Sequence, residues 1–586
     1  MADASYARVA CSYETRRRRR LASARGDRSI MDFPSSFATS NRHRLRSRLH
    51  YRRSAQHTHI TIPLEKTYID ALKDAYPNRS YYGGPEHTCR YCGAVFWFQE
   101  RVKSDSSIAQ RRLAYNLCCK GGKINLEPYK RPPSVLADLL SFDGDARSKR
   151  FLRLIRVYNS LFAFTSFGAA IDKAINNGTT PYVFKINGIV HHRIGTLLPR
   201  RGAMPKFAQL YIHDTNHETQ NRLNMFEVDD GVAEQPEREI TMALLAMLND
   251  NNKLVKAFRY ARERLEQAGN QRITLRLLGC DARQDVQYNL PSSGEVAAII
   301  VGDYTADEYT YDVLVHDRNC GLRRVSCLHP SYMALQYPLL FPYGENGYHL
   351  GIRYCNDEDS VGTKRKYVTM LEFVRRHLHY RLHESNPYTC YGRLSAQVIV
   401  DAYSTIEGSR LQFIADHQKD LRSESLQGIA DAVDRGLISV DAVGGKVIVP
   451  ASFTGSRRHH VMNYQDAMAI CRVYGPPDLF LTFTCNPKWR EIADALRFEP
   501  GQQPCDRSDL VVRVFHMKVD ELIADIRQGV TFGPVLAVLY TVEFQKRGLP
   551  HIHCLVWLAV TPGFRRQTEC EPCTCQDQLF TYTAVT

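Results

Sequence analysis

The segment EFQKRGLPHIHCLVWL, residues 543–558, places two histidines at the start of an apolar run. A turn with glycine and proline precedes them, and residues 534–545 before that turn also have the pattern of a strand. Because alternate residues of a strand share a face, His551 and His553 are predicted to point the same way. The segment therefore predicts a β-hairpin that carries two imidazoles on one face of a sheet.

The register of this hairpin decides which oxygen-bearing side chain joins the histidines. With a loop over residues 546–550, Gln545 lies opposite His551 and Glu543 lies opposite His553. A slip of one residue would remove both from that face, so Glu543 and Gln545 stay open as the third ligand. Two neutral imidazoles and an oxygen suit a divalent ion such as Mn²⁺ or Mg²⁺. The competing interpretation is two unrelated histidines on a wet sheet face.

The composition favours a protein that binds a polyanion. The chain has 586 residues and a formal net charge of +15, which favours nucleic acid or an anionic membrane surface. Its length predicts roughly two to four domains. No apolar run is long enough to cross a bilayer, so we expect no membrane partner. Without a secretory signal, the 17 cysteines are predicted to be reduced thiols or zinc ligands.

The chain divides by composition into four parts. Residues 1–84 form a basic leader, rich in arginine and serine, which we expect to be largely disordered and to carry a nuclear address. A nucleic-acid arm and an organelle transit peptide are the other interpretations of this leader. Residues 85–345 are predicted to be a mixed α/β region, residues 346–560 a strand-rich domain with packed helices, and residues 561–586 a divergent tail. The predicted fold class is therefore α+β.

Two stretches carry specific expectations about local structure. FAQLYIHD, residues 207–214, has the apolar content of a strand. Residues 393–422 have helical spacing of apolar residues and predict one long amphipathic helix, broken or bent near Gly408.

A cysteine pair near the start of the α/β region suggests a structural zinc site. HTCRYCG places Cys89 and Cys92 at C-x₂-C spacing, which is half of a tetrahedral zinc site. The adjacent Cys118 and Cys119 are candidates for the other half. Adjacent cysteines are an awkward pair of ligands, so His87 is the candidate to replace one of them. The competing interpretation is buried thiols beside aromatic residues.

Four basic residues are the best local candidates for contact with single-stranded DNA. Arg457 and Arg458 lie in GSRRHH, and Lys546 and Arg547 lie in the hairpin loop. Arginine and lysine follow phosphates, and aromatic residues stack on bases. Solvated surface charge is the default interpretation of each residue alone.

FLTFTCNPKWREI, residues 480–492, followed by EFQKRGLPHIHCLVW, resembles the Rep domain of Helitron transposons, also called the Helitron helicase-like domain. The resemblance extends over roughly residues 85–560. It implies a ferredoxin-like palm with an antiparallel sheet, with His551 and His553 as metal ligands and Gln545 or Glu543 as the third. It also implies metal-dependent nicking of single-stranded DNA by a tyrosine during rolling-circle transposition, with a helicase domain downstream or separate.

The chain departs from the family pattern in two respects. The family's tyrosines follow the histidine pair, whereas Tyr582 is the single tyrosine after residue 560 and is a weak candidate nucleophile. No G-x-x-x-x-G-K-[ST] stretch occurs, so we expect neither an ATP site nor helicase activity. We therefore expect a truncated copy that binds DNA and Mn²⁺ without forming a covalent adduct. A catalytically inactive DNA-binding remnant is the alternative to an active nuclease.

Overall fold

The computed structural model describes residues 6–8, 80–106, 113–172, 176, 182–224, 236–267, 273–279, 297–301, 313–316, 321–355, 365–382, 384–418, 448–529, 532–545 and 548–559. Lys546, Arg547 and Tyr582 lie outside the described residues. Most of the leader predicted for residues 1–84 also lies outside them, and its nuclear address stays a prediction.

Strands and helices alternate along the chain, and the predicted α+β class is confirmed. The strands are β1 (Tyr6–Arg8), β2 (His87–Thr88), β3 (Val95–Phe96), β4 (Ser166–Ile171), β5 (Ile186–Ile194), β6 (Ile273–Leu277), β7 (Ala297–Val301), β8 (Val313–His316), β9 (Arg323–Arg324), β10 (Leu479–Thr484), β11 (Val535–Phe544) and β12 (Pro550–Leu558). The α-helices are α1 (Ser134–Leu139), α2 (Ala146–Phe162), α3 (Glu218–Asn224), α4 (Arg238–Asn251), α5 (Lys253–Gln267), α6 (Tyr332–Gln336), α7 (Met370–Leu378), α8 (Arg393–Asp416), α9 (Arg457–Tyr474), α10 (Arg490–Leu496) and α11 (Ser508–Gln528). Among these helices, none is both long and apolar enough to cross a membrane.

The larger hydrophobic core gathers side chains from residue 124 to residue 406. Helices α2, α4, α5, α7 and α8 line it, together with β6 and β8 of the antiparallel sheet of order β7-β6-β8. Helix α8 also packs against β5 of a second small sheet, of order β4-β5-β9. The predicted boundary after residue 345 therefore does not coincide with the division between the cores, because α7 and α8 pack with the preceding region.

A second core surrounds the sheet that carries the histidine pair. The sheet has the order β1-β11-β12-β10, and all of its paired strands are antiparallel. Helices α10 and α11 connect β10 to β11 and cover one face, with Ile492, Val514 and Ile526 buried against the sheet. Strand, helix, strand and strand in this arrangement form a split β-α-β unit, which is part of a ferredoxin-like pattern. The complete ferredoxin-like palm stays a prediction.

One local expectation was wrong, and another was confirmed in part. Phe207–Tyr211 is a 3₁₀-helix rather than a strand, since Phe207 has φ of 54° and the tight turn buries the ring of Tyr211 against Phe164. The predicted long helix is confirmed as α8, which is not broken at Gly408; there the absence of a side chain lets Ile189 of β5 approach closely. In both places tertiary packing decides the local conformation.

Candidate metal centres

The hairpin of β11 and β12 has a tighter loop than the sequence suggested. Glu543 lies directly opposite His551, and Thr541 lies opposite His553. The Gln545 N–H donates to the Leu549 carbonyl at 2.9 Å, so Gln545 closes the loop instead of facing His551. The predicted register is therefore wrong by two residues. A shift of two keeps each side chain on its face, so Glu543 still shares the face of the histidines.

Three ligand atoms converge on this face, in a group that we call the Glu–His–His centre (Glu543, His551 and His553). The two Nε2 atoms are 3.1 Å apart. The Oε2 atom of Glu543 is 3.8 Å from Nε2 of His551 and 3.7 Å from Nε2 of His553. The circle through these three atoms has a radius of about 2.1 Å, which is an ordinary length for a metal–nitrogen or metal–oxygen bond. The three residues therefore fit one divalent ion.

The protonation of the centre also favours a metal ion. Burial lowers the pKa of His551, the neighbouring His553 lowers it further, and Glu543 opposes the shift. His551 is therefore neutral at pH 7, which is the form that binds metal. The side chains are 12% (His551), 20% (His553) and 26% (Glu543) exposed, so the centre is shielded yet open to solvent.

The two faces of the sheet differ at this point. Ile552 and Cys554, which alternate with the histidines, are buried in the core under α11. Farther along the histidine face, Trp557 is buried under α9, and its indole N–H donates to the Gly475 carbonyl at 2.8 Å. Helix α9 therefore covers the Trp557 end of this face, and the Glu–His–His centre lies at the other end.

An exposed aromatic ring borders the centre, and the sequence analysis missed it. Phe480 of β10 is 61% exposed, and its ring stacks on that of His553 with centroids 5.3 Å apart and planes 19° from parallel. The residues of β10 alternate between half-buried and exposed, which places Phe480 on the exposed side with Thr482 and Thr484. The signal was present in the alternation of FLTFT, where the exposed positions hold a phenylalanine and two threonines.

The cysteine cluster (Cys89, Cys92, Cys118 and Cys119) forms a second candidate centre, and all four sulfurs lie within 4.8 Å of one another. The Sγ atom of Cys119 is 3.7 Å from that of Cys89 and 3.7 Å from that of Cys118. Sulfurs bound to one zinc at about 2.3 Å in a tetrahedron are about 3.8 Å apart. The cluster therefore fits a closed four-thiolate zinc site, and the adjacent cysteines both take part.

Two of the four thiols, those of Cys89 and Cys92, have a lowered pKa. Hydrogen bonds from Cys118 and Cys119 lower the pKa of Cys92, and the Arg381 guanidinium lowers it further. The same neighbours, with Cys118 first, lower the pKa of Cys89 to about 6. Arg381 is buried, and it donates to the Cys92 carbonyl at 2.8 Å and to its sulfur at 3.5 Å. A buried cation thus offsets negative charge on the thiolates.

His87 lies outside the group of four sulfurs. Its ring packs against Phe96 and Phe98, with centroid distances of 5.8 Å and 5.9 Å. The sulfurs of Cys118 and Cys119 occupy the ligand positions that His87 was suggested to share.

The cysteine cluster joins the sheet core through the segment that follows it. Trp97 directly follows β3 and is fully buried in the core of α11 and β12. Arg513 of α11 lies over the Trp97 ring at 4.7 Å and makes a bidentate ion pair with Glu100 at 2.8 Å and 2.7 Å. The cluster therefore holds a segment that completes the core beneath the Glu–His–His centre.

The basic candidates are divided between described and undescribed parts of the chain. Arg457 and Arg458 occupy the first turn of α9, and both are exposed. The side chain of Ser456 caps this helix by accepting from the His459 N–H at 3.0 Å. Lys546 and Arg547 lie outside the described residues, so their contact with DNA stays a prediction.

Comparison with known proteins supports the resemblance noted in the sequence. Residues 373–556 match the family described as "Helitron helicase-like domain at N-terminus". The match includes the Glu–His–His centre and Phe480, and it confirms a Helitron helicase-like domain in this chain. No curated protein matches the chain.

Proposed function

We propose that this chain is a Rep-like protein of Helitron origin, which binds single-stranded DNA and holds a phosphodiester at the Glu–His–His centre. The observation that carries the proposal is the set of three ligand atoms 3.1–3.8 Å apart on an open sheet face. Two imidazoles and one carboxylate leave coordination positions for a substrate oxygen. The family match over residues 373–556 makes a nucleic acid the expected substrate class.

The residues of the centre divide the work between them. His551 and His553 offer Nε2 atoms as ligands, and Glu543 supplies the negative charge that attracts a cation. We propose Mn²⁺ or Mg²⁺, which when bound polarises a phosphodiester and fixes its orientation. Phe480 extends the face with an exposed ring, which is the kind of platform on which a nucleic-acid base stacks.

Nicking also requires a nucleophile. In agreement with the expectation from the sequence, we propose that the centre binds DNA and Mn²⁺ without forming a covalent tyrosyl–DNA adduct. The alternative is the tyrosine nicking that the family resemblance implies, with Tyr582 as the weak candidate nucleophile. A labelled oligonucleotide with Mn²⁺, run on a denaturing protein gel, separates the two: a shifted band that disappears in Tyr582→Phe shows covalent nicking by that residue.

We also propose that the cysteine cluster holds a structural zinc ion. Four thiolates around one zinc ion leave no position for a substrate. The role of this site is therefore to hold Cys89 and Cys92 next to Cys118 and Cys119 and, through Trp97, to support the core under the sheet.

The main proposal is tested by measuring the affinity of the protein for a labelled single-stranded oligonucleotide, once in Mn²⁺ and once in EDTA. Wild-type protein should bind more tightly with Mn²⁺, and Glu543→Gln should remove that difference. His516→Ala is the matched control, because His516 pairs with Asp520 at 3.6 Å on α11 outside the centre, and it should keep the Mn²⁺ effect. Equal Mn²⁺ dependence in wild type and Glu543→Gln would contradict the proposal.

A further inference from the structure

The small sheet β4-β5-β9 places two arginines side by side. Arg193 of β5 lies directly opposite Arg324 of β9, and Ser166 of β4 lies on its other side. Both arginines are exposed. Directly opposed residues of antiparallel strands point to the same face, so the two guanidinium groups share one surface.

On its own, the pairing of Arg193 with Arg324 is unfavourable for folding. Like charges directly opposite each other destabilise a pair of strands. Within the described part of the chain, no carboxylate lies within ion-pair distance of Arg193 or Arg324. An external anion would offset their repulsion, and arginine binds phosphate in a bidentate manner.

A third polar group lies next to the pair. His191, two residues before Arg193, faces the same side of β5, and its buried Nδ1 atom has no hydrogen-bond partner. Gly168 of β4 lies opposite His191, and a Cβ atom at Gly168 would come within 2.8 Å of the His191 carbonyl oxygen. The strands are thus closely packed there, and no side chain of β4 projects beside the imidazole. The basic character of this surface therefore comes from its two exposed arginines.

The segment that leads to this surface contacts the hairpin of the Glu–His–His centre. A Cβ atom on Gly548, in the β11–β12 loop, would be 3.0 Å from Val183. Val183 precedes β5, so the hairpin loop contacts the segment that leads to Arg193. Ten residues of extended chain from Val183 to Arg193 span at most about 33 Å, which is within reach of one oligonucleotide.

We propose that Arg193, Arg324 and His191 form a second binding surface for phosphodiesters of single-stranded DNA, separate from the Glu–His–His centre. The proposal rests on the proposed function only for the identity of the polyanion. Its contacts are to the backbone, so it adds affinity without sequence preference.

The experiment measures the salt dependence of binding for a labelled single-stranded oligonucleotide of about 30 nucleotides in EDTA. Each phosphate contact to a single strand contributes about 0.7 to the slope of log affinity against log salt. The double variant Arg193→Gln, Arg324→Gln should therefore lower the slope by about 1.4. The control is Arg262→Gln with Arg264→Gln on α5, which removes the same charge from residues paired with Glu266 and Tyr260. This control should leave the slope near that of wild type.

The slope and the thermal midpoint together separate DNA contact from an effect of net charge or of folding. An unchanged slope in the Arg193, Arg324 double variant overturns the proposal, and an equal drop in the α5 control does so too, since net charge alone would then account for it. The thermal midpoint of the double variant should not fall, because the variant removes a repulsion. A lower midpoint with an unchanged slope would assign the arginines a structural role. A reduced slope without any Mn²⁺ effect in wild type would support the arginine surface and count against the proposed function.

Discussion

The two candidate metal centres of this chain differ in how completely the protein encloses them. The cysteine cluster is largely buried and offers four sulfurs within 4.8 Å of one another, which is enough to fill a tetrahedron. The Glu–His–His centre offers three ligands on an open sheet face. A closed ligand set stabilises structure, whereas an open one leaves room for a substrate. The comparison predicts that loss of the cysteine cluster destabilises the fold, whereas loss of the Glu–His–His centre weakens only the binding of metal and DNA.

The largest effect on stability is expected from a change in the cysteine cluster. Cys119→Ser removes a sulfur that is 3.7 Å from two others, so we expect the zinc to be lost. Because metal binding is coupled to folding, we expect destabilisation by more than about 4 kcal/mol. Metal analysis and chemical denaturation measure both quantities. Cys355→Ser, outside the described clusters, should retain the zinc and the stability of wild type.

The next effect tests whether the closed centre supports the sheet. Trp97→Ala opens a cavity in the core under β12, and a change of this kind costs about 3–5 kcal/mol. The zinc content should stay at that of wild type, since Trp97 is not a ligand. Loss of zinc together with stability would show that the cysteine cluster and the Trp97 segment fold as one inseparable unit.

A smaller effect is expected at the open face. Phe480→Ala should weaken binding of single-stranded DNA by about 1–3 kcal/mol, because base stacking on an aromatic ring has that magnitude. The thermal midpoint should be unchanged, since the ring is 61% exposed. Phe413→Ala is the control, because Phe413 is also exposed and stacks on His417 at 4.0 Å. Equal losses in the two variants would argue against a platform at Phe480.

The smallest effect on Mn²⁺ affinity is expected for Gln545, which the sequence left open as a candidate third ligand. Gln545 closes the hairpin loop through its backbone, while Glu543 faces His551. Gln545→Ala should therefore change the Mn²⁺ affinity by less than about 0.5 kcal/mol, in the range of substitutions away from a functional site. Isothermal titration with Mn²⁺ measures this. A loss as large as that of Glu543→Gln would make Gln545 a ligand.

The sequence predicted the features that depend on local periodicity. The shared face of His551 and His553 follows from their spacing alone, and the α+β class follows from the order of strands and helices. The register was wrong by two residues because the loop is set by Gly548, whose φ of 76° allows a tight turn. Side-chain alternation is unchanged by a shift of two, so periodicity could not reveal it.

Other features depend on contacts between distant parts of the chain. The convergence of Cys118 and Cys119 on the C-x₂-C pair is a contact between residues that are distant in sequence. The burial of Trp97 in a core that includes β12, more than 400 residues later, has no local signature. The opposition of Arg193 and Arg324 likewise requires the pairing of β5 with β9.

The most direct test of the central claim is Mn²⁺ binding measured by electron paramagnetic resonance. Zinc-loaded protein should bind one Mn²⁺ ion per chain at the Glu–His–His centre. Glu543→Gln and His551→Ala should each weaken that binding by at least about tenfold, while zinc content and thermal midpoint stay at the wild-type values. Unchanged Mn²⁺ binding in both variants would contradict the account, and so would a loss of zinc on mutation of the open centre.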